Sequence, residues 1–318
     1  MRVLITGAQG CIGAWVTRLL LDRGVDVVTY DVDANPARLR MIASDTLVAR
    51  VKAVAGAIED TAGIKALVRD EGITHIVHLA AVLMPYCQAN PASGGLINVI
   101  GTLNVFEAAR DAGREVRVVY ASSSAVWGPE EAYEARALTD DDPLRPATHY
   151  GVFKQANEGN ARAFFNTNGI SSIGLRPWTV YGVGRDRGLT ADPTLAMRAA
   201  ATGETFQIRV SGFMDLQYVE DVASTFIACL MLPFRGVHVF NLAGDVVQME
   251  DLIGMIEKLR PGARGLISVS GGKVPVAYRM DDSGLRAMVP TIHKTPLEEG
   301  IRRTVEIFER LKTGGRLS

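Results

Sequence analysis

Three residues of this chain, Ser123, Tyr150 and Lys154, have the types and the spacing that suit proton transfer to or from an alcohol. Tyr150 and Lys154 are four positions apart in a predicted helix, so they share one helix face. A phenol has a pKa of about 10, and a neighbouring ammonium group can lower it by about 1–3 units. Tyr150 can then remove or supply an alcohol proton while Ser123, at the end of a predicted strand, holds the substrate oxygen. A nicotinamide cofactor would carry the hydride, and Lys154 is also a candidate contact of its ribose.

A glycine-rich segment near the start of the chain predicts where such a cofactor binds. Gly7, Gly10 and Gly13, with Cys11 and Ile12 between the last two, lie between a predicted strand and a predicted helix. Glycine allows a tight turn and a close approach of the backbone to a pyrophosphate, and the N-terminus of the helix attracts the anion. A structural turn that binds no phosphate is the alternative, but the position between strand and helix favours a dinucleotide site.

An acidic residue selects the kind of dinucleotide. Asp31 ends the second predicted strand, where a carboxylate can accept hydrogen bonds from the ribose hydroxyls of an adenosine. The same carboxylate repels a 2′-phosphate, and no Arg or Lys stands between Asp31 and Arg38. The sequence therefore predicts NAD rather than NADP as the cofactor. Asp33, a second acid nearby, is interpreted as a solvated loop residue.

The elements that must position these residues alternate between strands and helices. Apolar β-like runs are predicted at residues 3–5, 26–31, 53–58, 74–79, 116–121 and 172–175, with helical stretches between most of them. This alternation predicts an α/β fold with a doubly wound parallel sheet. After about residue 176 the pattern loosens, with short strands at 206–210 and 237–242. We therefore expect a dinucleotide-binding domain over 1–175 and a smaller, mainly substrate-binding part over 176–318, with segments that return to the sheet.

Composition excludes several other classes of protein. The 318 residues are 47% hydrophobic and 22% charged, which is typical of a globular chain. A formal net charge of −1 predicts no nucleic-acid partner, and no apolar run approaches the roughly 20 residues of a membrane span. Three widely spaced cysteines indicate free thiols in a reducing, cytoplasmic setting. His75 and His78 would point to opposite faces of one strand, so no metal site is predicted.

These segments together resemble the extended short-chain dehydrogenase/reductase family, the group that contains nucleotide-sugar epimerases and dehydratases, and so imply a Rossmann fold. The likeness covers most of the chain and rests also on residues 78–81, 98–102, 122–128, 176–182, 219–223 and 296–300. The family places its catalytic Ser or Thr three residues before the Val of a Val-Tyr-Gly motif, which selects Ser123. The resemblance further implies a set of residues along the NAD: Leu79, Ala80 and Ala81 beside the cofactor, Ile58 at the adenine, Asn98 in support and Pro177 at the nicotinamide.

Departures from the family pattern bear on the substrate. Sugar 4,6-dehydratases have an Asp-Glu pair where this chain has Ser124 and Ala125, which disfavours elimination of water. Many nucleotide-sugar epimerases have an Asn where Thr179 stands and a pyrophosphate-binding Arg where Met214 stands. The chain therefore lacks an evident anchor for a nucleotide diphosphate, and other arginines either compensate or bind a carboxylate. The candidate substrate residues are Ser124, Trp178, Thr179, Arg185, Arg187 and Arg209.

Three functions follow from this pattern. The first is an NAD-dependent oxidoreductase that interconverts a secondary alcohol and a ketone on a sugar, a polyol or a sugar-derived acid. The second is an epimerase that uses the same residues and retains its NAD. The third is a non-catalytic NAD-binding sensor on the same fold. By resemblance, the helices predicted at about 98–112 and 150–168 pair across a two-fold axis in a homodimer.

Overall fold

The strands follow the predicted alternation through the first half of the chain and continue beyond it. A computed structural model of the protein describes residues 1–317. The strands are β1 (Arg2–Thr6), β2 (Asp26–Asp31), β3 (Lys52–Ala55), β4 (His75–His78), β5 (Arg117–Ala121), β6 (Ser172–Arg176), β7 (Thr179–Tyr181), β8 (Phe206–Ser211), β9 (Phe213–Tyr218), β10 (Val237–Asn241), β11 (Asp245–Gln248) and β12 (Ile267–Lys273).

The helices cover both faces of this sheet and form much of the C-terminal half. They are α1 (Cys11–Asp22), α2 (Ala37–Ile42), α3 (Asp45–Val48), α4 (Thr61–Asp70), α5 (Met84–Ala89), α6 (Pro91–Gly95), α7 (Gly101–Asp111), α8 (His149–Asn168), α9 (Asp192–Thr202), α10 (Val219–Met231), α11 (Met249–Leu259), α12 (Ser283–Met288) and α13 (Leu297–Thr313). A short π-helical segment, Leu96–Ile100, leads into α7. Within residues 1–317 no helix is both long enough and apolar enough to cross a bilayer.

Seven parallel strands form the central sheet in the order β10-β6-β5-β4-β1-β2-β3. The inner strands are buried on both faces, which is why they are continuous apolar runs; Val3, Leu4 and Ile5 of β1 are all fully buried. The chain leaves β1 toward β2 on one side and returns to β4 on the other. The strand order therefore reverses at the carboxyl end of β1, where open α/β sheets bind their ligands. The predicted doubly wound Rossmann fold is confirmed.

The second half of the chain contributes to two places in the fold. β10 lies at the edge of the central sheet, paired with β6, so the strand predicted at 237–242 does return to the sheet. β7, β9 and β11 form a separate three-stranded sheet, and β8 pairs with β12. The predicted second part, 176–318, ends at Ser318, which lies outside the described residues. The three cysteines are free thiols.

Candidate active site

The glycine-rich loop brings three backbone segments into close contact at the carboxyl end of β1. Gly7 has a φ of 67°, and a Cβ there would lie 2.5 Å from the backbone nitrogen of Ala80. A Cβ at Gly13 would lie 2.5 Å from the carbonyl oxygen of Gly7. Gly10 precedes α1 in an extended conformation, and no side chain caps the helix. The first backbone N–H groups of α1 therefore have no side-chain acceptor, which is the condition under which helix N-termini bind anions.

Asp31 lies at the end of β2, beside this loop. Its Oδ2 accepts a hydrogen bond from the backbone N–H of Gln9 at 2.9 Å, which holds the half-buried carboxylate against the glycine-rich loop. Arg38 of α2 donates from Nη1 to the carbonyl of Gln9 at 2.6 Å and from Nη2 to Asp186 at 2.7 Å. Burial raises the pKa of Cys11 to about 12, so this cysteine of the loop stays a neutral thiol.

The residues predicted to run along the cofactor continue from β4, the neighbour of β1. Leu79 donates its backbone N–H to Thr6, and Ala80 and Ala81 follow it, partly buried, at the same sheet edge. Asn98, from the π-helical segment, accepts from the Val82 N–H and donates to the Val82 carbonyl, each at 3.0 Å.

Ile58 and Ile12 border the same region from two other elements. Ile58 is buried, and a Cβ on Gly101 would lie 2.6 Å from its side chain, so this isoleucine packs against the start of α7. Ile12 is partly buried in the first turn of α1.

Ser123 and Tyr150 are brought together by β5 and α8. Ser123 has extended backbone angles after β5, and its Oγ accepts the backbone N–H of Ala125 at 3.1 Å. Tyr150 lies in the first turn of α8, which begins after Thr148, whose Oγ1 accepts the N–H of Gly151 at 3.1 Å. Ser123 lowers the pKa of Tyr150, so the two side chains lie close to each other. They are 27 positions apart in sequence, so only the tertiary fold creates this contact.

Lys154 lies one turn further along α8 and is almost completely buried. Its Nζ donates to the carbonyl of Ala121 at 2.6 Å and lies 5.6 Å from the centre of the Tyr150 ring. Burial lowers the pKa of Lys154 to about 8, although the nearby Cys87 and Glu158 oppose that change. Burial also raises the pKa of Tyr150; the hydrogen bond with Ser123 and the charge of Arg185 lower it, while Cys87 raises it.

The candidate substrate residues near the ends of β5 and β6 differ in their surroundings. Ser124 is buried, and its Oγ donates to the carbonyl of Arg176 at 3.1 Å, so its hydroxyl is directed into the protein and away from the cleft. Trp178 is partly buried and donates from Nε1 to the carbonyl of Ala277 at 2.7 Å. Thr179 is fully buried, and its Oγ1 has no hydrogen-bond partner. The carbonyl of Pro177 accepts the N–H of Ser124, which joins this segment to the serine loop.

The predicted substrate arginines also differ. Arg209, on β8, forms a two-point ion pair with the fully buried Asp192, with contacts of 2.6 and 3.0 Å, and is therefore committed to a structural role. Arg187 is exposed. Arg185 is partly buried, donates from Nη2 to Thr190 at 2.7 Å, and acts electrostatically on both Cys11 and Tyr150. Of these three arginines, Arg185 is the one that lowers the pKa of Tyr150.

A buried ion pair behind the site was not predicted from the sequence. Glu158 of α8 forms two hydrogen bonds with Arg176 of β6, at 2.8 and 2.9 Å, and both side chains are buried. Ser122 donates to the same carboxylate at 2.5 Å, and Trp127 lies under the guanidinium. One feature of the sequence could have indicated Glu158: it follows Lys154 by four residues and therefore lies on the same face of the helix.

Comparisons with known proteins agree with this fold. The model of the NAD dependent epimerase/dehydratase family matches residues 3–243. UDP-glucuronate 4-epimerase 3 of Arabidopsis thaliana is 34% identical over 190 residues, which are 57% of this chain and 42% of that protein, so the match spans less than half of its length. UDP-glucuronate 4-epimerase 1 of the same plant is 32% identical over 96% of this chain and 76% of its own.

Solved structures give the same result for the fold. MoeE5 in complex with UDP-glucuronic acid and NAD superposes with a TM-score of 0.81 at 27% identity, over 98% of this chain and 99% of that one. No cluster of metal-binding side chains occurs within residues 1–317. The chain therefore belongs to the NAD dependent epimerase/dehydratase family and is an NAD-dependent enzyme of the extended short-chain dehydrogenase/reductase type.

Proposed function

We propose that this enzyme interconverts a secondary alcohol and a ketone on a sugar, a polyol or a sugar-derived acid, with Ser123, Tyr150 and Lys154 as its catalytic residues. The observation that carries the proposal is the meeting of the Ser123 loop after β5 with the first turn of α8, where Lys154 is buried one turn after Tyr150 with its Nζ 5.6 Å from the centre of the Tyr150 ring. A hydroxyl donor, a phenol and a buried amine in this arrangement have no role in the core that apolar residues would not fill better.

Each of the three residues has a separate task in the proposed reaction. Ser123 binds the oxygen of the alcohol and so holds it beside Tyr150. Tyr150 takes the proton of the substrate alcohol while the carbon that bears this alcohol is oxidised. In the reverse reaction Tyr150 returns the proton. Ser123 and Arg185 both stabilise the phenolate that this requires, against the effect of burial. Lys154, held by the carbonyl of Ala121, places positive charge beside the Tyr150 ring, and we assign it the contact with the nicotinamide ribose.

The residues around the glycine-rich loop fit NAD. The close contacts that a Cβ would make at Gly7 and Gly13 show that the loop is built for tight backbone packing around the N-terminus of α1. We propose that Gly7, Gly10, Cys11, Ile12 and Gly13 hold the pyrophosphate and that Asp31 holds the adenosine ribose. We also assign cofactor contacts to Ile58, Leu79, Ala80, Ala81, Asn98 and Pro177. Bound there, NAD supplies the acceptor and donor of the hydride.

A related function uses the same residues with a retained cofactor. The relatives described above are named as UDP-glucuronate 4-epimerases, which favours epimerisation at a sugar carbon as the second candidate. An epimerase oxidises the alcohol to a ketone and lets the ketone present its other face to the retained cofactor. The hydride then returns to that face. The residues 1–175 would then hold the cofactor, and 176–317 would supply most of the substrate side.

Absorbance at 340 nm during turnover tests these proposals. The protein is given NAD and a panel of free and UDP-linked sugars and sugar acids, and products are analysed by chromatography. Net NADH formation indicates the dehydrogenase; an inverted sugar without net NADH indicates the epimerase. Tyr150→Phe should lower either activity by about 10²- to 10⁴-fold and leave NAD affinity unchanged, because it removes only the proton-transferring hydroxyl. Unchanged turnover in Tyr150→Phe would contradict the catalytic assignment.

A further inference from the structure

One cation near the catalytic residues has a donor that nothing in the protein satisfies. The Nη2 of Arg185 donates to Thr190 at 2.7 Å, but its Nε is enclosed and has no hydrogen-bond partner. An enclosed N–H of a charged group is costly without an acceptor. Nε of Arg38 is also enclosed without a partner, but both terminal nitrogens of Arg38 are used, by Gln9 and Asp186, whereas the hydrogen bond to Thr190 uses only Nη2 of Arg185. Arg185 therefore keeps donors for an acceptor, best a negatively charged one, that enters beside it.

The loop that carries Arg185 is fastened over the glycine-rich loop on both sides of this residue. Before it, the carbonyl of Val183 accepts from Trp15 Nε1 at 2.9 Å. After it, Asp186 pairs with Arg38, which also binds the carbonyl of Gln9. The Sγ of Cys11 lies 3.9 Å from the Val183 carbonyl, and a Cβ on Gly188 would lie 3.3 Å from Leu83 and 4.0 Å from Nη2 of Arg185, so this loop reaches from the start of α1 to the segment after β4. The guanidinium also lowers the pKa of both Cys11 and Tyr150.

The other positions that the sequence offered for an anionic substrate differ from Arg185: Arg187 is exposed, and the remaining two are paired or buried. Arg209 forms its two-point pair with Asp192, and Met214 is fully buried in the core. A pyrophosphate would need several cationic or N–H donors, whereas one planar guanidinium suits one carboxylate.

We propose that Arg185 binds the carboxylate of the substrate and that this residue makes the enzyme select a sugar acid over the corresponding neutral sugar. This inference rests on the proposed function, because it assigns the substrate class to the same site. The acceptor at Arg185 is a carboxylate held within reach of Tyr150, so the oxidised alcohol lies on the same small molecule. The competing source of negative charge is a phosphate, of the cofactor or of a nucleotide-linked sugar.

Binding measurements distinguish a substrate carboxylate from a phosphate as the partner of Arg185, and they do not depend on turnover. Wild type, Arg185→Gln and the matched control Arg187→Gln are loaded with NAD and titrated calorimetrically. The probes are D-glucuronate, D-galacturonate and D-gluconate, the neutral sugars D-glucose and D-galactose, and the pair UDP-glucuronate and UDP-glucose. We expect wild type to bind at least one acid about tenfold or more tightly than its neutral counterpart. Arg185→Gln should remove that preference, and Arg187→Gln, which alters an exposed neighbour, should keep it.

Four results would overturn the proposal. The first is an acid preference that survives in Arg185→Gln. The second is a loss of NAD affinity in Arg185→Gln, which would assign the guanidinium to the cofactor phosphates. The third is equal weakening of UDP-glucose and UDP-glucuronate, which would assign it to a substrate phosphate. The fourth is a wild type that binds none of the acids. Failure of the proposed function appears separately, as selective acid binding with neither NADH at 340 nm nor an altered sugar acid in the chromatographic analysis.

Discussion

At the scale of single residues, the environment of Tyr150 differs from the expectation that Lys154 lowers its pKa. The groups that lower this pKa are Ser123, through a hydrogen bond, and Arg185, through its charge. The Lys154 ammonium is directed to the carbonyl of Ala121 and lies over the ring of Tyr150, where it contacts the aromatic face. A four-residue spacing on a helix brings two side chains together but does not determine which atoms meet.

His78 provides a pH-dependent test at the same scale. Burial lowers its pKa to about 3, and the imidazole is held neutral between Thr6 and Thr102 at 2.7 and 3.0 Å. The unfolded chain protonates this histidine below about pH 6.5, while the folded protein does not. Stability from neutral His78 is therefore fully present above about pH 6.5 and falls toward pH 3, by up to about 1.4 kcal/mol per pH unit.

Urea unfolding of wild type and His78→Gln between pH 7 and 4 measures this effect. His78→Gln should lower the free energy of unfolding at pH 7 but reduce its slope with pH in the acid range. His293→Gln is the control, because His293 is exposed, and it should keep the wild-type slope. Parallel slopes for wild type and His78→Gln would contradict the assignment.

At the scale of the elements, the Glu158–Arg176 pair joins the catalytic helix α8 to β6. Glu158→Gln should lower the free energy of unfolding by about 3 kcal/mol, because it leaves a buried guanidinium without its counter-charge. Glu298→Gln removes an exposed pair with Lys258 and should cost less than about 1 kcal/mol. Chemical denaturation measures both, and equal small losses would show that the buried pair is dispensable.

The turn between β1 and α1 gives a second test of an element. Gly13→Ala places a Cβ 2.5 Å from the Gly7 carbonyl oxygen, so the backbone of the loop must move. Loss of one hydrogen bond to a charged phosphate, worth about 1.5–3 kcal/mol, would weaken NAD binding by about 10- to 100-fold.

Gly254→Ala is the matched control for this substitution, because a Cβ there meets no atom within 4 Å. It lies within α11, where alanine favours the helix by about 1 kcal/mol. Titration with NAD followed by tryptophan fluorescence compares the two variants. Equal affinity in Gly13→Ala and Gly254→Ala would exclude the glycine-rich loop as the cofactor site.

At the scale of the whole molecule, we expect a homodimer through α7 and α8. Ile100, directly before α7, and Val152, in α8, are 41% and 46% exposed, so both offer apolar area that a second copy could bury. Either Ile100→Glu or Val152→Glu should convert the dimer into a monomer. Val246→Glu, at a similarly exposed position on β11, should not. Sedimentation velocity at micromolar concentration measures the change, and a monomeric wild type would contradict the prediction.

The strands of the whole molecule show how much of the fold was predictable from the sequence. The parallel strands through β6 were predicted within a few residues, since apolar runs buried on both faces are visible without tertiary information. The strand predicted at 53–58 ends earlier, at Ala55, and the next residue, Gly56, packs against the ring of Tyr30. The strands β7, β9, β11 and β12 were not predicted; they are short or lie in small sheets, where alternation is weak.

By itself the sequence determined the features that depend on short-range geometry. The glycine-rich turn, the acid at the end of β2 and the shared helix face of Tyr150 and Lys154 each arise within one strand–turn–helix unit, where backbone conformation and spacing decide the outcome. Those features were enough to predict the fold class, NAD and the type of chemistry.

Only the tertiary structure decided which polar side chains face the cleft. Ser124 and Ser123 are adjacent in sequence, yet one hydroxyl binds the carbonyl of Arg176 and the other meets Tyr150. Arg209 pairs with the buried carboxylate of Asp192, whereas the Nε donor of Arg185 has no partner. These outcomes depend on contacts between segments far apart in the chain, because desolvation and ion pairing act on whatever the fold places nearby.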